Sequence, residues 1–201
     1  MTNNFVPSMG FLTKTIRNTF LTEKVKDGTM DFESAVNSMT LYANEDKSEP
    51  LYFWQLYNIL GEKPVYKLIK IFYTKIFEDT DAEWFREEFV DLGDIDYHVN
   101  GQANFWLDIM GGGKRYTGKE KLLSKKHKLV KNIMTRKGAD RWMMHMVNAI
   151  KEVDISPEFN DKRIIYCLYE FLDFFVNKYA IEFDFNYVSI FKKNFFLKSK
   201  I

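Results

Sequence analysis

From residue 51 onward apolar residues recur every three to four positions, the period of a helix burying one face. Val65, Leu68, Ile69, Phe72 and Ile76 form one such stripe. A second runs through residues 97–110 along Phe105, Trp106 and Ile109, and Gly111-Gly112-Gly113 ends it, because glycine tolerates positive φ. Leu122, Leu123, His127 and Val130 suggest a third, short helix. A fourth carries Ala139, Trp142, Met143, Met146, Val147 and Ile150, and a fifth Ile164, Ile165, Leu168, Phe171, Leu172 and Phe175. Ser156-Pro157-Glu158 reads as a capped helix start with proline in the first turn. Only Ile181-Glu182-Phe183-Asp184-Phe185-Asn186-Tyr187 alternates at period two, as a strand or an extended strap would. The pattern predicts an all-α domain with tails.

Four of the stripes carry side chains that pure core packing would not select. They are Tyr73 beside Phe72, His98 with Gln102, His127, and Trp142. Burying an imidazole or an amide without a partner costs about 1–3 kcal/mol. A single such residue is ordinarily a core side chain with its own hydrogen bond. Several on facing helices point to a shared polar centre in an apolar pocket, which is how ligand sites are built. His127 sits in Lys125-Lys126-His127-Lys128, where three lysines disfavour an imidazolium. A neutral imidazole is what a metal ligand must be, and it is also what an exposed histidine there would be. His145, beside the Trp142/Met146 stripe, reads as incidental.

Composition narrows the class. Of 201 residues 46% are hydrophobic and 28% charged, so the chain can bury a sizeable core. Aromatic residues reach 17%, which favours an aromatic core or a flat apolar ligand. A net charge of +1 gives no argument for nucleic acid. Charge is nonetheless uneven. Residues 114–137 hold ten Lys/Arg against Glu120, and residues 78–96 hold nine acids against Arg86, as the solvated faces of separate helices would. The basic run is also placed to meet an anionic part of a ligand. The single cysteine, Cys167, excludes an intramolecular disulfide and a cysteine metal cluster. No apolar run approaches the ~18 residues of a membrane-spanning helix. Gly111-Gly112-Gly113-Lys114 lacks the spacing of a phosphate loop, and no carboxylate pair or nucleophile–base pair emerges.

With these residues in order, the chain resembles the truncated haemoglobins. Leu56-Tyr57-Asn58-Ile59-Leu60-Gly61 is similar to that family's opening motif, and Phe72-Tyr73 to the pair that puts a tyrosine over the haem iron. Phe105 followed by Gly111-Gly112 is similar to the close of the distal helix. Tyr116-Thr117-Gly118 and then His127 resemble the approach to the proximal histidine, and Ala139-Asp140-Arg141-Trp142-Met143 the motif carrying the second group's tryptophan. A third glycine replaces the proline common after the glycine pair. The approach to His127 looks like the first group while Trp142 looks like the second, and the span between them is two residues long for the family.

The resemblance implies a two-over-two helical sandwich around haem b over residues 51–178, flanked by an N-terminal extension (1–50) and an aromatic-rich C-terminal extension (179–201). It implies His127 as axial iron ligand, with Tyr73, His98 and Gln102 on the distal side and His98 as a candidate sixth ligand. Phe72, Phe89 (with Phe85 as the alternative), Phe105, Tyr116, Leu123 and Trp142 would pack the haem, and Lys125 and Lys126 would meet its propionates. The implied activity is binding of oxygen or another small diatomic ligand, with nitric oxide or peroxide chemistry as the reactions open to such a site. A second expectation is a globin-derived accessory subunit of a larger, respiratory-type complex, engaged through residues 1–50 and 179–201. The first 22 residues hold Lys14, Arg17, six Ser/Thr and no acid, a composition like a mitochondrial transit peptide. A mitochondrial location is therefore expected, with the cytoplasm as alternative.

Overall fold

The computed structural model describes residue 22 and residues 42–43, 51–113, 115–116, 133–154, 156–189 and 191. The short helix expected around residues 122–130 lies outside them, as do Leu123, Lys125, Lys126 and His127.

The described chain opens with two short paired strands, β1 (Tyr42–Ala43) and β2 (Leu51–Tyr52), antiparallel with Tyr42 opposite Tyr52. A 3₁₀ turn, Phe53–Gln55, leads into α1 (Leu56–Leu60). Gly61, at φ 68°, turns the chain into α2 (Glu62–Phe77). Then come α3 (Glu83–Val90), α4 (Ile95–Leu107), α5 (Arg136–Val153) and α6 (Lys162–Glu182). The architecture is all-α, as the stripes predicted, with the strand pair as a minor addition the sequence did not announce.

Helix ends follow local chemistry. Asp94 caps α4 by accepting the Tyr97 N–H at 2.8 Å. Thr135 caps α5 through Gly138, and Asp161 caps α6 through Arg163. The last helix therefore begins at Lys162, not at Ser156-Pro157-Glu158. That stretch forms a separate 3₁₀ turn, Pro157–Phe159, without a side-chain cap bond. The glycine run ends α4 in a single π turn, Asp108–Gly112, with Gly111 and Gly113 at φ 95° and 92°. A Cβ on Gly112 would lie 2.6 Å from the Tyr57 ring, so this turn packs against α1 only without a side chain.

The core sits where α2 crosses α4 and α5. Val65, Leu68, Ile69, Phe72, Tyr73 and Ile76 of α2 are all buried, the predicted stripe with Tyr73 added. α6 closes the far side, where Phe171 stacks on Phe53 at 4.0 Å with rings 2° from parallel. The apolar stripe of α6 does not stop at residue 178 but continues through Ala180, so the helix runs across the expected domain boundary. No described helix is long and apolar enough to cross a membrane.

Candidate ligand pocket

Between α3, α4, α5 and α6 lies a cavity of about 560 Å³, within the range of small-molecule sites. Phe85 and Phe89 line it from α3, His98, Gln102, Phe105 and Trp106 from α4, Trp142 from α5, and Phe171 and Phe175 from α6. Tyr73 and Tyr116 complete the wall, and no described lining residue carries a full charge. The wall is thus an aromatic cage with a polar strip along α4.

That polar strip is where Tyr73, His98 and Gln102 meet, as the stripes predicted. The Tyr73 hydroxyl donates to Gln102 Oε1 at 2.6 Å, an O–H···O distance. Burial pushes the Tyr73 phenol above its ordinary value, so it stays a neutral donor. Among the described residues the Gln102 amide nitrogen has no hydrogen-bond partner. His98 lies against Tyr73 with ring centroids 5.0 Å apart, and its Nε2 is 2.8 Å from the Phe89 carbonyl. A carbonyl only accepts, so Nε2 carries the proton and has no lone pair for a metal in this arrangement. Sixth-position ligation through Nε2 would require that bond to break.

The other expected pocket residues fall in two groups. Phe89, Phe105, Tyr116 and Trp142 stand on the wall, as does Phe85, so the choice between the two phenylalanines dissolves. Phe72 is fully buried behind it, with ring centroids 4.9 Å from both Tyr73 and Trp142. Tyr116 is set by Asp108, a buried carboxylate that accepts the Arg115 N–H at 2.6 Å and the Tyr116 N–H at 3.0 Å. Arg115 then reaches away from the cavity to Glu62 and to the Tyr57 hydroxyl, both within hydrogen-bond distance.

His145 is not incidental, contrary to the sequence reading. It is buried, and its Nε2 donates to Asp79 Oδ2 at 2.6 Å, while Arg141 donates to the same carboxylate with Nε at 2.7 Å. Hydrogen bonding from Arg141 holds the Asp79 carboxyl down to about 2, against the desolvation that would raise it. The cluster ties the end of α2 to α5, with the His145 ring facing the pocket residue Phe85 at 6.1 Å. Asp79 and His145 are 66 residues apart, and nothing in the sequence pairs them.

An all-α fold around an aromatic-lined pocket with a hydroxyl–amide pair on one wall defines a helical protein with a cavity of small-molecule size. A model of the bacterial-like globins matches residues 55–174, well over half of the chain. The chain belongs to that family, the truncated haemoglobins.

Proposed function

We propose that the protein holds haem b in this cavity and binds a small diatomic ligand there, oxygen foremost. The observation that carries the reading is the Tyr73–Gln102 pair set on the wall of an otherwise apolar, cofactor-sized pocket. The residues present suit a porphyrin: aromatic rings from four helices offer flat apolar contact, and the Tyr73–Gln102 pair supplies polar groups on one wall. Of the three histidines, His98 and His145 have Nε2 committed to the Phe89 carbonyl and the Asp79 carboxylate. That favours His127, the family's proximal position, as the axial ligand. Haem, when bound, supplies the iron at which such a ligand coordinates.

The chain's own contribution is orientation and exclusion of water. Tyr73 spends its proton on Gln102 Oε1, which turns the amide N–H₂ outward as the donor available to a polarised ligand. His98 is pinned to Phe89 and serves as a wall. Phe85, Phe89, Phe105 and Trp142 line the site with apolar rings, and apolar surroundings slow loss and oxidation of a bound ligand.

The accessory-subunit reading rested on apolar tails looking for a partner. Described parts of those tails instead dock on the body: β1 pairs with β2, and Phe191 stacks on Tyr169 at 4.2 Å. Self-contained ligand binding is therefore the reading we adopt, and a mitochondrial setting for it is open to cell fractionation. Reconstitution with haem, followed by an optical spectrum, is the decisive test. A Soret band in the wild type that collapses in His127→Ala is expected; no Soret band in the wild type would refute the proposal.

A further inference from the structure

The family match ends at residue 174, yet the cavity wall does not. Phe175 and Val176 and, one turn on, Tyr179 continue it on α6, and Phe185 joins from beyond the helix. The Phe183 N–H still makes a helical bond to the Tyr179 carbonyl at 2.8 Å, and α6 ends where Asp184 adopts φ 55°, the one non-glycine residue with positive φ among those described. That left-handed residue reverses the chain, and the Phe185 N–H then bonds the Ala180 carbonyl at 2.9 Å. The reversal is what carries the Phe185 ring back to the pocket rather than on into solvent.

A second contact holds the returning segment down. Asp173 lies on the otherwise apolar face of α6 and is 5% exposed. A carboxylate in such a place needs a polar partner, and the Tyr187 hydroxyl donates to its Oδ1 at 2.7 Å. Tyr187 is itself packed against the core. A polar residue is thus placed inside an apolar face and is met by the phenol of the segment that covers that face.

We infer that residues 183–187 form a strap completing the binding pocket, in which Phe185 and Tyr179 contact the bound apolar ring system and the Tyr187–Asp173 bond latches the strap shut. Tyr179, Phe185 and Tyr187 lie beyond the family match, and Asp173 lies just inside its end, so the strap joins a segment outside the matched region to the shared fold. The identity of the ring system as a porphyrin rests on the function proposed above; the strap as pocket wall does not. Ile181, on the same stretch but 85% exposed, has no part in it.

The test uses the full-length protein with Tyr187→Phe, which keeps the ring and removes the latch, Phe185→Ala, which removes the wall, and Ile181→Ala as control. Haem transfer from the loaded protein to excess apomyoglobin should be about fivefold faster for Tyr187→Phe and at least tenfold faster for Phe185→Ala, with Ile181→Ala unchanged. In parallel, 8-anilinonaphthalene-1-sulfonate is titrated into the haem-free proteins, where Tyr187→Phe and Phe185→Ala should each weaken its binding at least threefold. Wild-type behaviour of Tyr187→Phe and Phe185→Ala in both assays would overturn the strap. Should the wild type take up no haem while the dye titrations shift as stated, the strap stands and the haem reading falls.

Discussion

The Tyr73 hydroxyl reaches the Gln102 side-chain oxygen at 2.6 Å, joining two helices across 29 residues of sequence. On the function proposed above, the direction of that bond would leave the Gln102 amide as donor to a bound ligand, with Tyr73 orienting it.

In the haem-loaded protein, Gln102→Leu should accelerate oxygen release about fivefold, the equivalent of one hydrogen bond of about 1 kcal/mol. Tyr73→Phe should have a smaller effect, about twofold, since the amide loses its orienting partner but remains. Stopped-flow displacement by carbon monoxide measures both, and the reverse order would assign the donor to Tyr73. Because burial raises the Tyr73 phenol above its ordinary value, the release rate should show no Tyr73 titration between pH 6 and 9.

Asp79→Asn should lower stability by on the order of 2 kcal/mol, because Arg141 and His145 lose a buried anionic partner. The same carboxylate makes stability fall in acid. Its folded value, about 2, lies below the ordinary 3.8, so its contribution is complete above 3.8 and is lost as pH falls towards 2. Urea midpoints of the wild type should drop across that window, and those of Asp79→Asn should drop less steeply.

Asp108→Ala removes the acceptor of two backbone N–H groups at once. The expected cost is about 1–3 kcal/mol, accompanied by a displaced Tyr116 ring and weaker retention of the pocket's occupant. Asp108→Asn should recover part of the stability, since the amide oxygen still accepts one bond. Chemical denaturation read alongside haem retention checks the pairing, and an unaltered haem-loss rate in a destabilised Asp108→Ala would separate the turn from the pocket.

Gly138 sits in the first turn of α5, where an added Cβ would lie 1.9 Å from the Ile133 carbonyl oxygen. Backbone must move to admit it, and Ile133 lines the cavity. Gly138→Ala should therefore lower the melting temperature by several degrees, corresponding to about 1–3 kcal/mol, although alanine is ordinarily the better helix former. Calorimetry that found a raised melting temperature would show the approach to be looser than described.

Long periodic stripes made four helices legible in advance, and the polar intruders on two of them located one wall of the pocket. Tyr73, His98 and Gln102 could be grouped because each broke an apolar face at helical spacing. α3 was legible only as the solvated face of a helix without bounds: it buries only Phe85 and Phe89, four residues apart in an acidic stretch, too few to form a stripe. The Asp79–His145 pair escaped because a 66-residue separation leaves no local trace. The strap was seen as an alternating segment, but alternation cannot reveal a reversal set by one left-handed aspartate.

The contact between Cys167 and Leu51 bears on how the chain is assembled. The Cys167 thiol donates to the Leu51 carbonyl at 2.8 Å, spanning 116 residues, and α6 also packs against β1 and β2. Among the described elements, the strand pair that precedes helices α1–α6 thus packs on α6, the last of the six. Docking of the β1–β2 hairpin is a late, high-contact-order event, and the strand pair must remain tethered but undocked during synthesis. A chain stalled before residue 162 would carry the α2–α4–α5 body with its N-terminal hairpin unseated, an intermediate that pulse proteolysis of truncated nascent chains would expose.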